Sequence, residues 1–184
     1  TNGNHEIMLG VKSGKAIRFH EEKVRAIGRT GGGVKGVTFR KKDDVVVGAI
    51  SMENQENDVL VVSENGYGKR SSIENYRITN RGGKGVKTIN ITDKTGNLIG
   101  VKSVDDESDL MIITKNGTAI RLSVSKLRVM GRATQGVRLI NLREGDAIAA
   151  IAKVPSTMDN GDMEEGFENG EIEGGESASN ENSE

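Results

Sequence analysis

Residues 109–122, DLMIITKNGTAIRL, have the pattern of a β-hairpin. An apolar run leads into Asn116-Gly117, and a second run with alternating apolar positions follows the turn. Asn-Gly readily adopts the positive φ angles that a tight hairpin turn requires, so the two runs are expected to pair as antiparallel strands. This hairpin is the unit from which the rest of the fold can be inferred.

The hairpin occurs twice more, as EIMLGVKSGKAIRF in residues 6–19 and as DVLVVSENGYGKRS in residues 58–71. The copies lie 52 and then 51 residues apart, and four sets of aligned residues keep this spacing. A period this constant indicates a repeat protein. The aligned sets are Gly14, Gly66 and Gly117; Arg18, Arg70 and Arg121; Arg25, Arg77 and Arg128; and Gly33, Gly85 and Gly136.

Each copy continues with two further strand-like segments. VKGVTF, VKTINI and VRLINL alternate apolar and polar positions, and VVVGAI, NLIGVKSV and AIAAIAKV supply a last strand. We therefore predict an all-β fold of blade-like units with four strands each, as in propellers. The predicted boundaries are the end of a preceding blade at 1–4, blades at 5–56, 57–107 and 108–155, and a tail at 156–184.

Three blades are too few to form a ring, because blade proteins close with about four to eight units. We therefore expect this chain to be a fragment of a longer array. The tail has few apolar residues and is rich in acids and glycine, a composition typical of disordered segments.

Charge is divided sharply between the repeats and the tail. All 26 Lys and Arg lie in residues 1–155, together with 17 of the 27 Asp and Glu, whereas residues 156–184 hold the remaining ten acids. A basic body joined to an acidic tail indicates a polyanionic partner and a tail that can compete with it.

Cations recur at matching positions in the loop that precedes the third segment of each unit. The loops contain GRTGGGVK at 28–35, NRGGKGVK at 80–87 and GRATQGVR at 131–138. The glycines are explained most simply by a tight turn into the next strand, but a turn does not require arginine. The candidate DNA-binding residues are Arg29, Lys35, Arg81, Lys84, Lys87, Arg132 and Arg138 in these loops, and Arg18, Arg70 and Arg121 in the hairpins.

Duplex DNA is the polyanion that fits this pattern best. The chain has three Phe, two Tyr and no Trp, which is a poor supply of stacking platforms for single strands or RNA loops. No recognition helix is evident in the sequence. A row of cations is suited to backbone phosphates, so we expect binding with little sequence preference.

The residues favour no catalytic chemistry. His5 and His20 stand in no plausible metal or nucleophile constellation, and no segment reads as a P-loop. We expect Asp43-Asp44 and residues 105–107 to be solvated turns, and no catalytic or metal residues are predicted. The absence of Cys and of a signal peptide or membrane-spanning run indicates a cytoplasmic protein without a membrane partner.

The repeats, above all YGKRSSIENYRITNRGGKGVKTINI and GTAIRLSVSKLRVMGRATQGVRLINL, resemble the C-terminal domains of bacterial DNA gyrase A subunits. The similarity covers about residues 5–155. The resemblance implies a six-bladed β-pinwheel that wraps DNA and directs negative supercoiling by an ATP-dependent type II topoisomerase. It also implies that these are the last three blades and that the acidic tail is the family's terminus.

The resemblance further implies partners and cofactors outside this chain. The parent enzyme is expected to contain two gyrase A and two gyrase B subunits and to use ATP and Mg²⁺, whereas this chain is expected to hold no cofactor. The family's Gln-Arg-Arg-Gly-Gly hallmark belongs to the first blade. Residues 79–85, TNRGGKG, match it from Arg81 onward and are interpreted as a degenerate sister of it.

Two alternatives remain open from the sequence. One is the homologous domain of topoisomerase IV, which only the upstream blades would distinguish. The other is a protein-interaction propeller, for which exposed apolar or aromatic loop tips would be expected.

Overall fold

The computed structural model describes residues 1–53 and 57–155, which form three antiparallel sheets. The predicted disordered tail, 156–184, lies outside the described residues. In chain order the strands are β1 (Glu6–Val11), β2 (Lys15–His20), β3 (Val46–Met52), β4 (Asp58–Ser63), β5 (Tyr67–Ser72), β6 (Val86–Lys87), β7 (Leu98–Val104), β8 (Ser108–Thr114), β9 (Ala119–Ser123), β10 (Val137–Arg138) and β11 (Ile148–Pro155).

The three predicted hairpins are present as β1–β2, β4–β5 and β8–β9, each followed by a three-residue 3₁₀ turn. The glycine at each hairpin turn has a positive φ, between 79° and 86°. The last strand of each unit, β3, β7 or β11, pairs with the first strand of the same unit. The all-β, repeated-blade prediction is confirmed.

The short strands β6 and β10 do not pair within their own unit. The first sheet has the order β3-β1-β2-β6, and the second has the order β10-β5-β4-β7. Each of these strands therefore pairs with the sheet of the preceding unit, and it is the borrowed strand of that sheet. The expectation that all four strands of a blade come from one repeat is wrong in this respect, because alternation of apolar residues does not specify which sheet a strand joins.

The third sheet has no strand from a following unit in the part of the chain that the structure describes. Within the described residues it has three strands, in the order β11-β8-β9. The unit-1 segment at 34–39, which corresponds to β6, is not a strand here. Instead it forms hydrogen bonds with the loop of the next unit, from Thr38 N to Gly83 O (2.9 Å) and from Gly82 N to Gly36 O (2.6 Å).

The sheets pack face to face through two cores. Along β4, Val59 and Val61 face the first core, whereas Leu60 and Val62 face the second. Because side chains alternate across a strand, a strand with a core on each face must be apolar throughout. This explains the continuous apolar run VLVV. Tyr76 is buried in the first core, where its hydroxyl lies 2.5 Å from Thr88 Oγ1.

The acidic turns are more ordered than the sequence indicates. Asp44 is buried, and its carboxylate accepts hydrogen bonds from Ser13 N (2.9 Å) and Ser13 Oγ (2.8 Å). Asp106 pairs with Arg70, and Asp105 accepts a hydrogen bond from Ser108 that lowers the pKa of its carboxyl. The expectation of solvated turns is therefore wrong for Asp44. No helix in the part of the chain that the structure describes has the length and apolar character needed to cross a membrane.

Candidate nucleic-acid interface

The cationic loops that lead into β6 and β10 lie along one edge of the first and second sheets. β3 contacts β7, and β7 contacts β11, so these strands face one another on one side of the molecule. The hairpin strands β2 and β5 lie toward the opposite edges, where they receive β6 and β10. The loops that lead into β6 and β10 run beside β2 and β5, respectively, as the bridges from Arg18 to Ile78 and from Arg70 to Val129 show.

Glycine is required where each loop enters its borrowed strand. Gly85 and Gly136 have φ angles of 65° and 84°, and a Cβ at either position would lie 2.5 Å from a backbone carbonyl oxygen of the receiving strand. The interpretation of these glycines as tight-turn residues agrees with this geometry, and the close approach to the neighbouring sheet adds a second reason for them.

Five of the seven candidate cations in the loops are exposed: Arg29, Lys35, Lys84, Lys87 and Arg138. Lys87 and Arg138 occupy equivalent positions on β6 and β10. Their side chains make local contacts with Asn90 Oδ1 at 3.3 Å and Asn141 Oδ1 at 3.2 Å, respectively. These contacts leave both charges at the surface, in positions repeated from unit to unit.

Arg81 and Arg132 join one loop to the preceding unit. Arg81 Nη1 donates to Lys35 O (3.1 Å), and Arg132 Nη1 donates to Lys87 O (2.9 Å). Arg81 Nε also donates to Lys23 O at 2.8 Å. Both side chains are half-buried. These arginines therefore organise the loops as well as adding positive charge to them.

Each of the three hairpin arginines forms an ion pair with an acid of the adjacent strand: Arg18 with Glu6, Arg70 with Asp58 and Arg121 with Asp109. Arg70 also pairs with Asp106 in the turn between β7 and β8. Arg18 and Arg70 are buried, and this burial argues against direct contact with DNA for these two side chains. Although burial opposes the charge on Arg70, the carboxylates of Asp58 and Asp106 raise its pKa.

A sequence signal for these ion pairs exists. An acidic residue stands twelve positions before each arginine, as Glu6, Asp58 and Asp109, and these acids share the repeat spacing. Opposite charges that recur on paired strands at a fixed separation indicate an internal salt bridge.

Other cations join the candidate interface although the sequence analysis did not select them. Lys15 and Arg40 line a cavity of about 280 Å³ together with Lys87, and Arg40, Arg77 and Lys84 line an adjoining cavity of about 330 Å³. Partial burial and the charge of Arg40 lower the pKa of Lys15, and Lys84 and Lys87 act in the same direction, whereas the Asp44 carboxylate opposes the shift. Lys15 therefore lies among like charges.

The second sheet has a buried lysine at the edge that receives β10. Lys69 is 1% exposed, and its Nζ donates to Gly131 O (2.6 Å), Thr134 O (3.2 Å) and Thr134 Oγ1 (3.1 Å). Burial, together with the charge of Arg132, lowers the pKa of Lys69 to about 8. This side chain fixes the loop that carries Arg132 against the second sheet.

Tyr67 forms a contact of a different kind on the same strand. Arg138 Nη2 donates to the Tyr67 hydroxyl at 3.0 Å, and this hydrogen bond lowers the tyrosine's pKa. Arg138 and Lys94 also lie 5.5 Å from the centre of the Tyr67 ring. Tyr67 is buried, so it packs against cations and is not a stacking platform for bases.

The same loops expose some apolar side chains. Val24, Ile27, Ile78 and Val129 are between 38% and 52% exposed. These four residues alternate with arginines along the loops, so this part of the loop surface is mixed in character. Within residues 1–53 and 57–155, no group of three or more His, Asp or Glu is arranged to hold a metal ion.

The three repeats match a known protein family. The family model described as "DNA gyrase C-terminal domain, beta-propeller" matches residues 5–51, 57–105 and 108–155. Each match falls within one of the three repeat units inferred from the hairpin spacing.

Gyrase A proteins are among the curated relatives of this chain. The DNA gyrase A protein of Staphylococcus epidermidis strain ATCC 12228 is 46% identical over 160 residues. That match covers 87% of this chain and 18% of the relative. The chain therefore corresponds to less than a fifth of the length of this relative.

Two solved structures share the fold. The C-terminal domain of DNA topoisomerase IV superposes with a TM-score of 0.80 at 22% identity, covering 85% of this chain and 48% of that one. A DNA gyrase A C-terminal domain superposes with a TM-score of 0.72 at 25% identity, covering 82% of this chain and 50% of that one. The three units thus correspond to about half of each solved domain.

Proposed function

Because the chain belongs to the DNA gyrase C-terminal domain family, we propose that it is a DNA-wrapping segment of a gyrase A protein and binds duplex DNA along the loop edge of its sheets. The observation that carries this proposal is the recurrence of exposed cations at one structural position. Lys87 on β6 and Arg138 on β10 occupy matching places beside successive sheets.

Such an arrangement is suited to the DNA backbone. Phosphates recur regularly along a duplex, and repeated Lys and Arg can neutralise several of them at once. In the described residues the helical segments are 3₁₀ turns of three residues, too short to read the major groove. Binding is therefore expected to depend on phosphate contacts and to show little base preference.

The wider activity belongs to the longer protein. We propose that the parent is an ATP-dependent type II topoisomerase of the bacterial cytoplasm that introduces negative supercoils into DNA. In this proposal ATP, Mg²⁺, gyrase B and a second copy of gyrase A act outside this chain. The curated relative, a gyrase A protein, favours this parent over topoisomerase IV, since the topoisomerase IV likeness at 22% identity reflects the fold.

Salt-dependent binding of a 30-base-pair duplex tests the DNA proposal. Fluorescence anisotropy should show an affinity that falls steeply as salt rises, by about 10³- to 10⁵-fold between roughly 50 and 200 mM if six to ten phosphates are engaged. Lys87→Gln and Arg138→Gln should both weaken binding. For either variant, the loss of affinity should be the same whatever the base sequence of the duplex.

A suitable control is Lys153→Gln. Lys153 lies on β11, away from the loop edge, and its Nζ is 3.1 Å from Asp105 Oδ2. Its loss should leave DNA affinity nearly unchanged. A flat salt response, or losses confined to particular base sequences, would contradict phosphate-based binding.

A further inference from the structure

The first two repeat units meet at a cluster of cations. The start of β2 and the borrowed strand β6 form the floor between the two adjoining cavities, and both cavities include Arg40. Lys15 and Lys87 line the first cavity, and Lys84 lines the second. Side chains from two different repeat units therefore converge on one small surface region.

Lys15 and Lys87 are directly opposite each other in the antiparallel pairing of β2 with β6. Like charges in directly opposed positions destabilise a strand pair. The β2–β6 pairing is only two residues long, so this repulsion falls on a large part of its contact. An anion between the two ammonium groups would convert the repulsion into attraction.

Two acids lie near this cluster, and both line the first cavity. Asp43 pairs with Lys12 at 3.8 Å. Asp44 accepts two hydrogen bonds from the neutral Ser13, keeps its charge and offsets part of the charge around Lys15. Arg18, at the wall of the second cavity, pairs with Glu6. Among the described residues, the positive charge of Lys15, Arg40, Lys84 and Lys87 thus exceeds the nearby negative charge.

The equivalent junction between the second and third repeat units has different residues. There Tyr67 stands opposite Arg138, and the arginine donates a hydrogen bond to the tyrosine hydroxyl. By the repeat spacing, Tyr67 replaces Lys15, Gln135 replaces Lys84 and Thr92 replaces Arg40. Lys94 remains nearby as a second cation. At this junction Arg138 and Lys94 both contact Tyr67, and fewer cations lie close together than at the first junction.

We propose that the cluster of Lys15, Arg40, Lys84 and Lys87 binds one backbone phosphate of duplex DNA and anchors the duplex at the first junction more tightly than at the second. This inference rests on the proposed DNA-binding function. It adds a position on the interface and two residues, Lys15 and Arg40, that are not in the repeated loop motif.

Lys15→Gln in the full 184-residue chain is the test. Affinity for a 30-base-pair duplex should fall about three- to tenfold, and the salt slope should decrease by about one. The melting temperature without DNA should stay the same or rise, because the substitution removes the repulsion with Lys87. These opposite effects on binding and stability separate an anion site from a structural role.

Two comparisons complete the experiment. Arg40→Gln should weaken binding like Lys15→Gln, and Lys87→Gln should weaken it more than Arg138→Gln at the second junction. Lys153→Gln serves again as the charge-matched control. Equal losses at both junctions, wild-type affinity in Lys15→Gln, or a lowered melting temperature in that variant would each overturn the anchor. Failure of the wild-type chain to bind DNA would instead overturn the proposed function.

Discussion

At the residue scale, the environment of a cation decides its role. Arg18 and Arg121 occupy the same place in their repeats and each pairs with an acid of the adjacent strand. Arg18 is 5% exposed, because residues 73–78 of the next unit lie against it and accept two of its hydrogen bonds. The Arg121 side chain is 35% exposed, and in the described residues no such segment lies beside β9. The sequence reveals the repeated arginine, but its burial depends on a segment from another unit.

This difference predicts unequal effects of one substitution. Arg18→Ala should lower the free energy of unfolding by about 3–5 kcal/mol, because it breaks the buried ion pair between Arg18 and Glu6. It also removes the donor to Ile73 O and Tyr76 O, both at 2.9 Å. Arg121→Ala should cost no more than about 1 kcal/mol. Urea denaturation of the two variants measures the difference, and equal losses would contradict the assignment.

The lowered pKa of Lys69 predicts that the stability of the fold depends on pH. Burial lowers its folded-state pKa to about 8, from an ordinary value of 10.5. Below pH 8 both states are protonated and the folded state bears the cost of the buried charge. Between about pH 8 and 10.5 the unfolded state binds more protons, so the free energy of unfolding should rise with pH, by about 3 kcal/mol at most.

Lys69→Met isolates this contribution, since other lysines and tyrosines also titrate in that range. The free energy of unfolding of the wild type minus that of the variant should increase from about pH 8 to about 10.5 in denaturant titrations. Parallel curves for the two proteins would show that Lys69 titrates normally.

At the scale of elements, local pattern and strand exchange differ in what the sequence reveals. The hairpins follow from short apolar runs and Gly turns, which are local signals. The exchange of β6 and β10 is not local, because Val86-Lys87 has the same alternation whichever sheet it joins. The candidate site likewise depends on strand exchange, which the local sequence does not specify. Lys87 could be selected from its repeat position, but its pairing with Lys15 follows only from the exchanged strand.

Gly85 provides a test of the exchanged strand. Gly85→Ala places a Cβ 2.5 Å from Ala16 O, so it should displace β6 from β2 and cost about 2–3 kcal/mol of unfolding free energy. Gly33→Ala is the matched control, with a similar φ of 75° but no heavy atom within 4 Å of the added Cβ. It should cost about 1 kcal/mol, from backbone strain alone. Equal costs would mean that the close approach to Ala16 is unimportant.

At the scale of the whole molecule, charge is separated along the chain. The repeats carry the entire complement of Lys and Arg, and ten acids are concentrated in residues 156–184. Exposed cations from successive units lie on the loop edge, so a polyanion and the acidic segment would be attracted to the same surface. The sequence predicts this competition through charge alone, whereas the position of the competing surface requires the fold.

Deletion of residues 156–184 should therefore tighten binding of the 30-base-pair duplex at about 50 mM salt. The effect should shrink toward about 200 mM, because salt screens the attraction between segment and loop edge as well as that between DNA and protein. Anisotropy titrations of the two chains at both salt concentrations measure it. A control chain with the ten acids changed to Asn and Gln should behave like the deletion, since charge and not length is responsible. If the neutral segment instead matched the wild type, competition through charge would be excluded.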